Sequence, residues 1–148
     1  MKIVVVKNYD ELSKLGAEII ASKIKENPAC TLGLATGSSP IGTYQNLVRM
    51  YEDGKISFKD VKTYNLDEYC GIERTHQQSY YYFMHDNLFN HVDIKEENTH
   101  VPYAAPGSNL DEEAKKYTAE LNKTTIDLQL LGIGANGHIG FNEPGTPF

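Results

Sequence analysis

The sequence predicts an α/β fold: an open, mostly parallel sheet with helices on both faces, doubly wound in the Rossmann-like manner. Short continuous apolar runs alternate with longer stretches of helical periodicity, the pattern of βαβ units whose strands are covered on both faces. The intervening stretches have the length of right-handed crossovers. Polar loops rich in Gly and Ser begin where apolar runs end, which is where open α/β sheets bind ligands.

A first strand is expected over residues 3–6, the run Ile3-Val4-Val5-Val6 between Lys2 and Lys7. Leu12, Leu15, Ile19, Ile20 and Ile24 then recur at helical spacing, with Asp10 and Glu11 near the helix start. Residues 31–35 form a second buried run, with Cys30 at its entrance. Thr36-Gly37-Ser38-Ser39-Pro40 breaks it, and a helix follows from 40 to about 52, closed by Gly54. Ser39 suits the N-cap of that helix and Pro40 its first position. Residues 61–66 make a third strand that ends in Asp67-Glu68-Tyr69. An aromatic-rich helix is predicted over 79–92, with Tyr80, Phe83, Met84, Leu88 and Phe89 near one face. Residues 99–102 form a fourth strand. Asn109 with Glu112 gives a capping-box-like start to a helix through 121. A final strand over 126–131 runs into Gly132-Ile133-Gly134-Ala135-Asn136-Gly137-His138.

Composition excludes several function classes. The chain has 148 residues, the size of one domain. Fourteen Lys and Arg against 20 Asp and Glu give a net charge of −6, without a basic block, so no nucleic-acid partner is expected. No apolar run reaches the roughly 18 residues of a membrane span. The N-terminus is too short and too charged at both ends for a secretory signal, which points to the cytoplasm. Cys30 and Cys70 have neither metal-site nor CxxC spacing and read as free thiols in a reducing compartment. No helix follows the last strand to cover it. Residues 1–148 are therefore expected to be one α/β domain, incomplete at its C-terminal end and part of a longer one.

Three loops carry candidate chemistry. In 36–40, Gly37 permits a turn closed to other residues, and N–H groups at Ser38 and Ser39 would lie at a helix N-terminus, where phosphate binds. The same residues also suit ordinary helix capping, and the loop is not a P-loop. Asp67 and Glu68 end a strand with side chains that point opposite ways, so one can enter a cleft while the other serves the scaffold. A partly desolvated carboxylate there could act as a base on a carbon acid; otherwise the pair is a solvated loop or an N-cap. Gly132-x-Gly134-x-x-Gly137 matches the dinucleotide fingerprint in letters, but the following helix and the acidic residue about 20 positions on are absent. His138 follows the Asn136-Gly137 turn, and Glu143 lies five residues later, close enough to orient the ring and support its charged form. His76, His85, His91 and His100 show no such setting in the sequence, and no metal site is expected.

With Leu34-Ala35-Thr36-Gly37-Ser38-Ser39-Pro40, Tyr64-Asn65-Leu66-Asp67-Glu68-Tyr69, Ser79-Tyr80-Tyr81-Tyr82-Phe83-Met84-His85 and Gly132-Ile133-Gly134-Ala135-Asn136-Gly137-His138-Ile139-Gly140-Phe141-Asn142-Glu143-Pro144, the chain resembles the glucosamine-6-phosphate deaminases, the glucosamine/galactosamine-6-phosphate isomerase family. The likeness runs the whole chain in order. It implies that glucosamine 6-phosphate and water become fructose 6-phosphate and ammonia, without a redox cofactor or metal. Asp67 would move the proton from C2 to C1, and His138 would relay a proton during ring opening. Glu143 would hold and charge-match His138, and Asn136 would orient its imidazole. Thr36, Gly37, Ser38 and Ser39 would form the phosphate loop. The likeness further implies a hydrolase or isomerase of amino sugar metabolism, in N-acetylglucosamine degradation. Its partner is a small sugar phosphate, with a homo-oligomer or a complementing C-terminal part as a further expectation. No Lys or Arg lies between Lys25 and Arg49 and none follows Lys123, so cations for the phosphate are expected from elsewhere. Two alternatives stand beside this reading. One is a 6-phosphogluconolactonase-like hydrolase, which shares the glycine-rich His loop but lacks the Glu of Phe141-Asn142-Glu143-Pro144. The other is a non-catalytic sugar-phosphate-binding regulator, against which the set Asp67, His138 and Glu143 argues.

Overall fold

In the computed structural model, residues 1–145 are described; 146–148, the end of the expected 1–148 domain, lie outside the described residues. Four parallel strands form one sheet: β1 (Thr31–Leu34), β2 (Lys62–Asn65), β3 (Thr99–His100) and β4 (Leu128–Gln129), in the spatial order β3-β2-β1-β4. The chain winds outward from β1 through α2 (Ile41–Glu52) to β2 and through α3 (Tyr80–Asn87) to β3. It then returns through α4 (Leu110–Leu121) to β4 on the other side of β1. That reversal is the doubly wound topology.

The period of two along each strand divides the molecule. Leu32 and Leu34 join Met84, Leu88, Tyr44, Leu47 and the inner side of α1 (Tyr9–Glu26), which contributes Ala17, Ile20, Ala21 and Ile24, in one buried cluster. Thr31, Gly33 and Tyr64 are the alternating positions. On that side Tyr64 meets the ring of Tyr117 from α4, and Gly33 lies under the Gln129 side chain. α1, α2 and α3 thus cover one face and α4 the other, as expected for helices on both faces.

Three helices begin at side-chain caps, of which the capping box at Asn109 was expected from the sequence. Asn8, Ser79 and Asn109 accept N–H bonds from Glu11, Tyr82 and Glu112 at the starts of α1, α3 and α4. Several expectations need correction. Residues 1–6 form no strand: Ile3 is 74% and Val5 90% exposed, because no described strand pairs with them. α2 starts one residue later than expected, with Pro40 at the cap position and no side-chain cap bond, so Ser39 does not cap it. The aromatic helix stops at Asn87 and continues only as a 3₁₀ turn, Phe89–His91. The strand expected over 99–102 shortens to Thr99–His100, and the last one to Leu128–Gln129, the positions paired with β1, flanked by the Asp127 and Leu130 N–H groups that donate to the Thr31 and Gly33 carbonyls.

Candidate functional site

At the switch point between β1 and β4 the loops leaving the two strands separate, and a cleft of about 450 Å³ opens at the carboxyl ends of the strands. The loop after β1 supplies Thr36, Gly37, Ser38 and Ser39. The end of β2 supplies Asp67 and Tyr69, α3 supplies Tyr80, and the loop after β4 supplies Gly134, His138, Gly140, Phe141 and Glu143. All three loops singled out in the sequence therefore meet in one place.

Two tyrosines fix the first loop. The Tyr9 hydroxyl accepts the Gly42 N–H at 2.9 Å and lies 3.1 Å from the carbonyl oxygens of both Ser38 and Ser39, to either of which it can donate. The Tyr44 hydroxyl, fully buried, donates to the Ala35 carbonyl. Gly37 makes the turn at φ +93°. No Lys or Arg lines the cleft among the described residues, so positive potential in this loop comes from backbone N–H groups and the α2 terminus.

Asp67 and Glu68 divide their labour as extended geometry requires. Asp67 lines the cleft. Burial, and then the Glu68 charge, push its pKa above the ordinary carboxylate value, while a backbone hydrogen bond from Phe141 opposes them. Gly140 comes so close that a Cβ on it would stand 3.0 Å from Asp67 Oδ2. Glu68 turns inward and is only 9% exposed. It accepts the N–H groups of Tyr69, Tyr80 and Tyr81 at 2.8, 2.9 and 3.0 Å.

His138 is held through Asn136. The Asn136 amide Nδ2 donates to Glu143 Oε2 at 2.7 Å, which turns Asn136 Oδ1 toward the ring, and His138 Nδ1 lies 2.7 Å from that oxygen. An amide oxygen only accepts, so Nδ1 carries the proton and the neutral ring keeps its lone pair on Nε2. Glu143 Oε1 stands 3.7 Å from Nδ1. Bonds from the Gly134 N–H to the His138 carbonyl and from the Gly137 N–H to the Gly134 carbonyl, both 2.9 Å, close the loop beneath it. A side chain on Gly134 would collide with the imidazole.

Sequence reasoning missed the cleft's aromatic wall. Tyr69, Tyr80 and Phe141 pack with ring centroids 4.8 to 5.9 Å apart. Burial, then the Tyr69 hydroxyl, raise the Tyr80 pKa, against an opposing hydrogen bond with Thr36. Tyr80 was grouped with Phe83, Met84, Leu88 and Phe89 on one helix face. As the first residue of α3 it lies beyond the core and faces the cleft; of the three rings only Tyr69, two residues from Asp67, carried a signal in the sequence. One histidine departs from expectation: His85, outside this cleft, has Nε2 3.0 Å from Glu96 Oε2. Among the described residues, no three His, Cys, Asp or Glu side chains converge as a metal site.

Residues 7–141 match the family model described as glucosamine-6-phosphate isomerases/6-phosphogluconolactonase. A glucosamine-6-phosphate deaminase of Thermoanaerobacter sp. (strain X514) is 54% identical over 145 residues, covering 97% of this chain and 57% of that protein. The structure of a monomeric glucosamine-6-phosphate deaminase superposes with a TM-score of 0.95 at 43% identity, covering 99% of this chain and 61% of the other. The 6-phosphogluconolactonase of Thermotoga maritima superposes at 0.74 with 20% identity, covering 94% of this chain and 62% of the other, a likeness of fold alone. The chain thus spans about three-fifths of the length of the proteins it matches.

Proposed function

The chain belongs to the glucosamine-6-phosphate isomerase/6-phosphogluconolactonase family, and from that premise we propose that its cleft serves conversion of glucosamine 6-phosphate and water to fructose 6-phosphate and ammonia. The observation that carries this reading is the placement of Asp67, a partly desolvated carboxylate, in the same cleft as a histidine whose Nε2 is free for proton transfer. Opening the sugar ring needs a group that takes and returns a proton at oxygen, the role of His138. The open chain then carries an aldehyde at C1 and an amine at C2. Asp67 removes the C2 proton and returns one to C1 while a proton passes from the amine to the C1 oxygen, so the aldehyde becomes a CH2OH group and an imine is left at C2. Water adds there, and ammonia leaves as the ketose forms. Thr36, Gly37, Ser38 and Ser39 take the phosphate, whose remote binding orients the reacting end. Glu143 and Asn136 fix the His138 tautomer. The name hydrolase describes only the water consumed.

Residues 1–148 are, on this reading, the N-terminal part of a longer α/β domain, and cations for the phosphate come from outside the cleft lining. Its place in N-acetylglucosamine breakdown, a cytoplasmic location and a homo-oligomer belong to the same proposal. No helix among the described residues is long and apolar enough to cross a membrane. The lactonase alternative is supported by fold, whereas the deaminase reading is also supported by Glu143 paired with Asn136.

The test uses Asp67→Asn and His138→Gln in the active enzyme. Asp67→Asn should slow exchange of the C2 proton by about 10²–10⁴-fold, the usual contribution of a general base. His138→Gln should slow the cyclic substrate far more than an acyclic analogue. Near-normal exchange in Asp67→Asn, or equal slowing of both substrates in His138→Gln, removes the residue concerned from its role.

A further inference from the structure

We propose that Glu68 is a positioning residue of this cleft, whose buried carboxylate ties the end of β2 to the first turn of α3 and sets both the aim and the electrostatic surroundings of Asp67. The inference rests on the reading of Asp67 as the general base. Its observations are independent of that reading. Glu68 bridges segments 12 and 13 residues apart by accepting the N–H groups of Tyr80 and Tyr81. These N–H groups open α3 and have no partner within the helix. Ser79 Oγ takes the next one, from Tyr82, at 2.9 Å. α3 has no acidic residue in its own first turn, and Glu68 brings to its start the negative charge that favours a helix N-terminus. The same carboxylate accepts the N–H of Tyr69, two residues beyond Asp67. Asp67, Tyr69 and Tyr80 are thereby fixed as one unit, and the rings of Tyr69 and Tyr80 close it at 4.8 Å between centroids.

A simple helix cap would hold α3 and do nothing else. Glu68 differs because its charge adjoins the cleft carboxylate. The titratable groups around Asp67 are Glu68 beside it, Tyr69 two residues on, Tyr80 from α3 and Tyr117 from α4, with His138 and Glu143 across the cleft. After burial, the Glu68 charge is the influence that raises the Asp67 pKa. Neutralising Glu68 while keeping its shape therefore shifts the base toward easier ionisation, an effect that a purely structural cap lacks.

The experiment follows the side-chain carboxyl of Asp67 by carbon NMR as a function of pH in the wild-type chain, Glu68→Gln and Glu68→Asp. Asp67 should titrate at lower pH in Glu68→Gln and return toward the wild-type midpoint in Glu68→Asp, where the charge is restored. An unchanged Asp67 midpoint in folded Glu68→Gln, or equal shifts in the two variants, overturns the proposal. If Glu68→Gln does not fold, amide exchange in the wild-type chain decides. The Tyr69, Tyr80 and Tyr81 N–H groups should be protected, and exchange at the free rate overturns the proposal. If Asp67 shifts as expected while Asp67→Asn leaves C2 proton exchange intact, the link from Glu68 to Asp67 stands and the general-base reading falls.

Discussion

Asn136 decides which nitrogen of His138 can do proton chemistry. It does so as a relay: Glu143 fixes the amide, the amide oxygen takes the Nδ1 proton, and Nε2 keeps its lone pair. The arrangement works only because Gly134 leaves room for the ring. Gly134→Ala should push the imidazole off Asn136 and break the 2.7 Å contact. We expect the ring-opening step to fall by about 10²-fold or more, the range of a lost acid–base group, with little loss of thermal stability because the loop is exposed. Nitrogen NMR of the His138 ring checks the cause: the fixed Nδ1–H tautomer should give way to a mixture. An unchanged tautomer with lower activity would show that the ring never moved. Much of this residue chemistry was legible in the sequence. Extended geometry separated Asp67 from Glu68, and the Asn-Gly turn placed His138. The meeting of Tyr69, Tyr80 and Phe141 was not legible, because it depends on how the turn around Gly140 folds back onto Asp67.

The capping box at Asn109 and the central strands β1 and β2 formed as expected, whereas the run 3–6 and the Ser39 cap gave way to tertiary context. Asn8, Ser79 and Asn109 cap helices through bonds made within three residues, which a sequence displays directly. Residues 3–6 have the apolar content of a strand, but strand formation also needs a ladder partner, and none of the described strands provides one. The start of α2 is a case of tertiary override. Tyr9, at the first position of α1, reaches across to Gly42 N–H and the Ser38 and Ser39 carbonyls and replaces the serine cap. Tyr9→Phe removes these bonds while keeping the ring. It should cost about 1 kcal/mol of stability, the usual net worth of one hydrogen bond. Amide exchange at Ser38, Ser39 and Gly42 should rise, and inorganic phosphate should bind more weakly. Unchanged exchange in that loop would show that α1 does not hold it.

At the scale of the molecule, the two faces of the sheet differ. α1, α2 and α3 share one buried cluster, whereas α4 contributes no buried residue and roofs an open groove of about 550 Å³. Asp67 lines both the cleft and this groove, so it stands between the well-packed half that carries the first loop and the weakly packed α4 side. Local opening should begin on the α4 side, since stability follows buried apolar contact. Two titrating groups give this a pH signature. His100 stacks on Tyr64 at 4.2 Å, and its backbone carbonyl lies 3.1 Å from the Tyr117 hydroxyl of α4, which also reaches the Asn65 carbonyl at 2.7 Å. Burial holds its pKa below 6.5, with Lys62 acting in the same direction and Glu120 against it. The unfolded state thus binds the His100 proton more readily, and the stability from this group is full above about pH 6.5 and lost as pH falls below it. Asp67 has the opposite sign: its raised folded pKa means that stability from this group is greatest below about pH 3.8 and is lost as pH rises through the higher folded value. His100→Asn should therefore flatten the decline of the unfolding midpoint just below pH 6.5. Asp67→Asn should raise the midpoint at neutral pH and lose that advantage in acid. Residue-level hydrogen exchange against pH locates the His100 effect, with α4 amides opening in acid before those of α1 and α2. Uniform exchange across all helices would place the weak point elsewhere, and a midpoint unchanged by Asp67→Asn would show that the cleft stores no electrostatic cost.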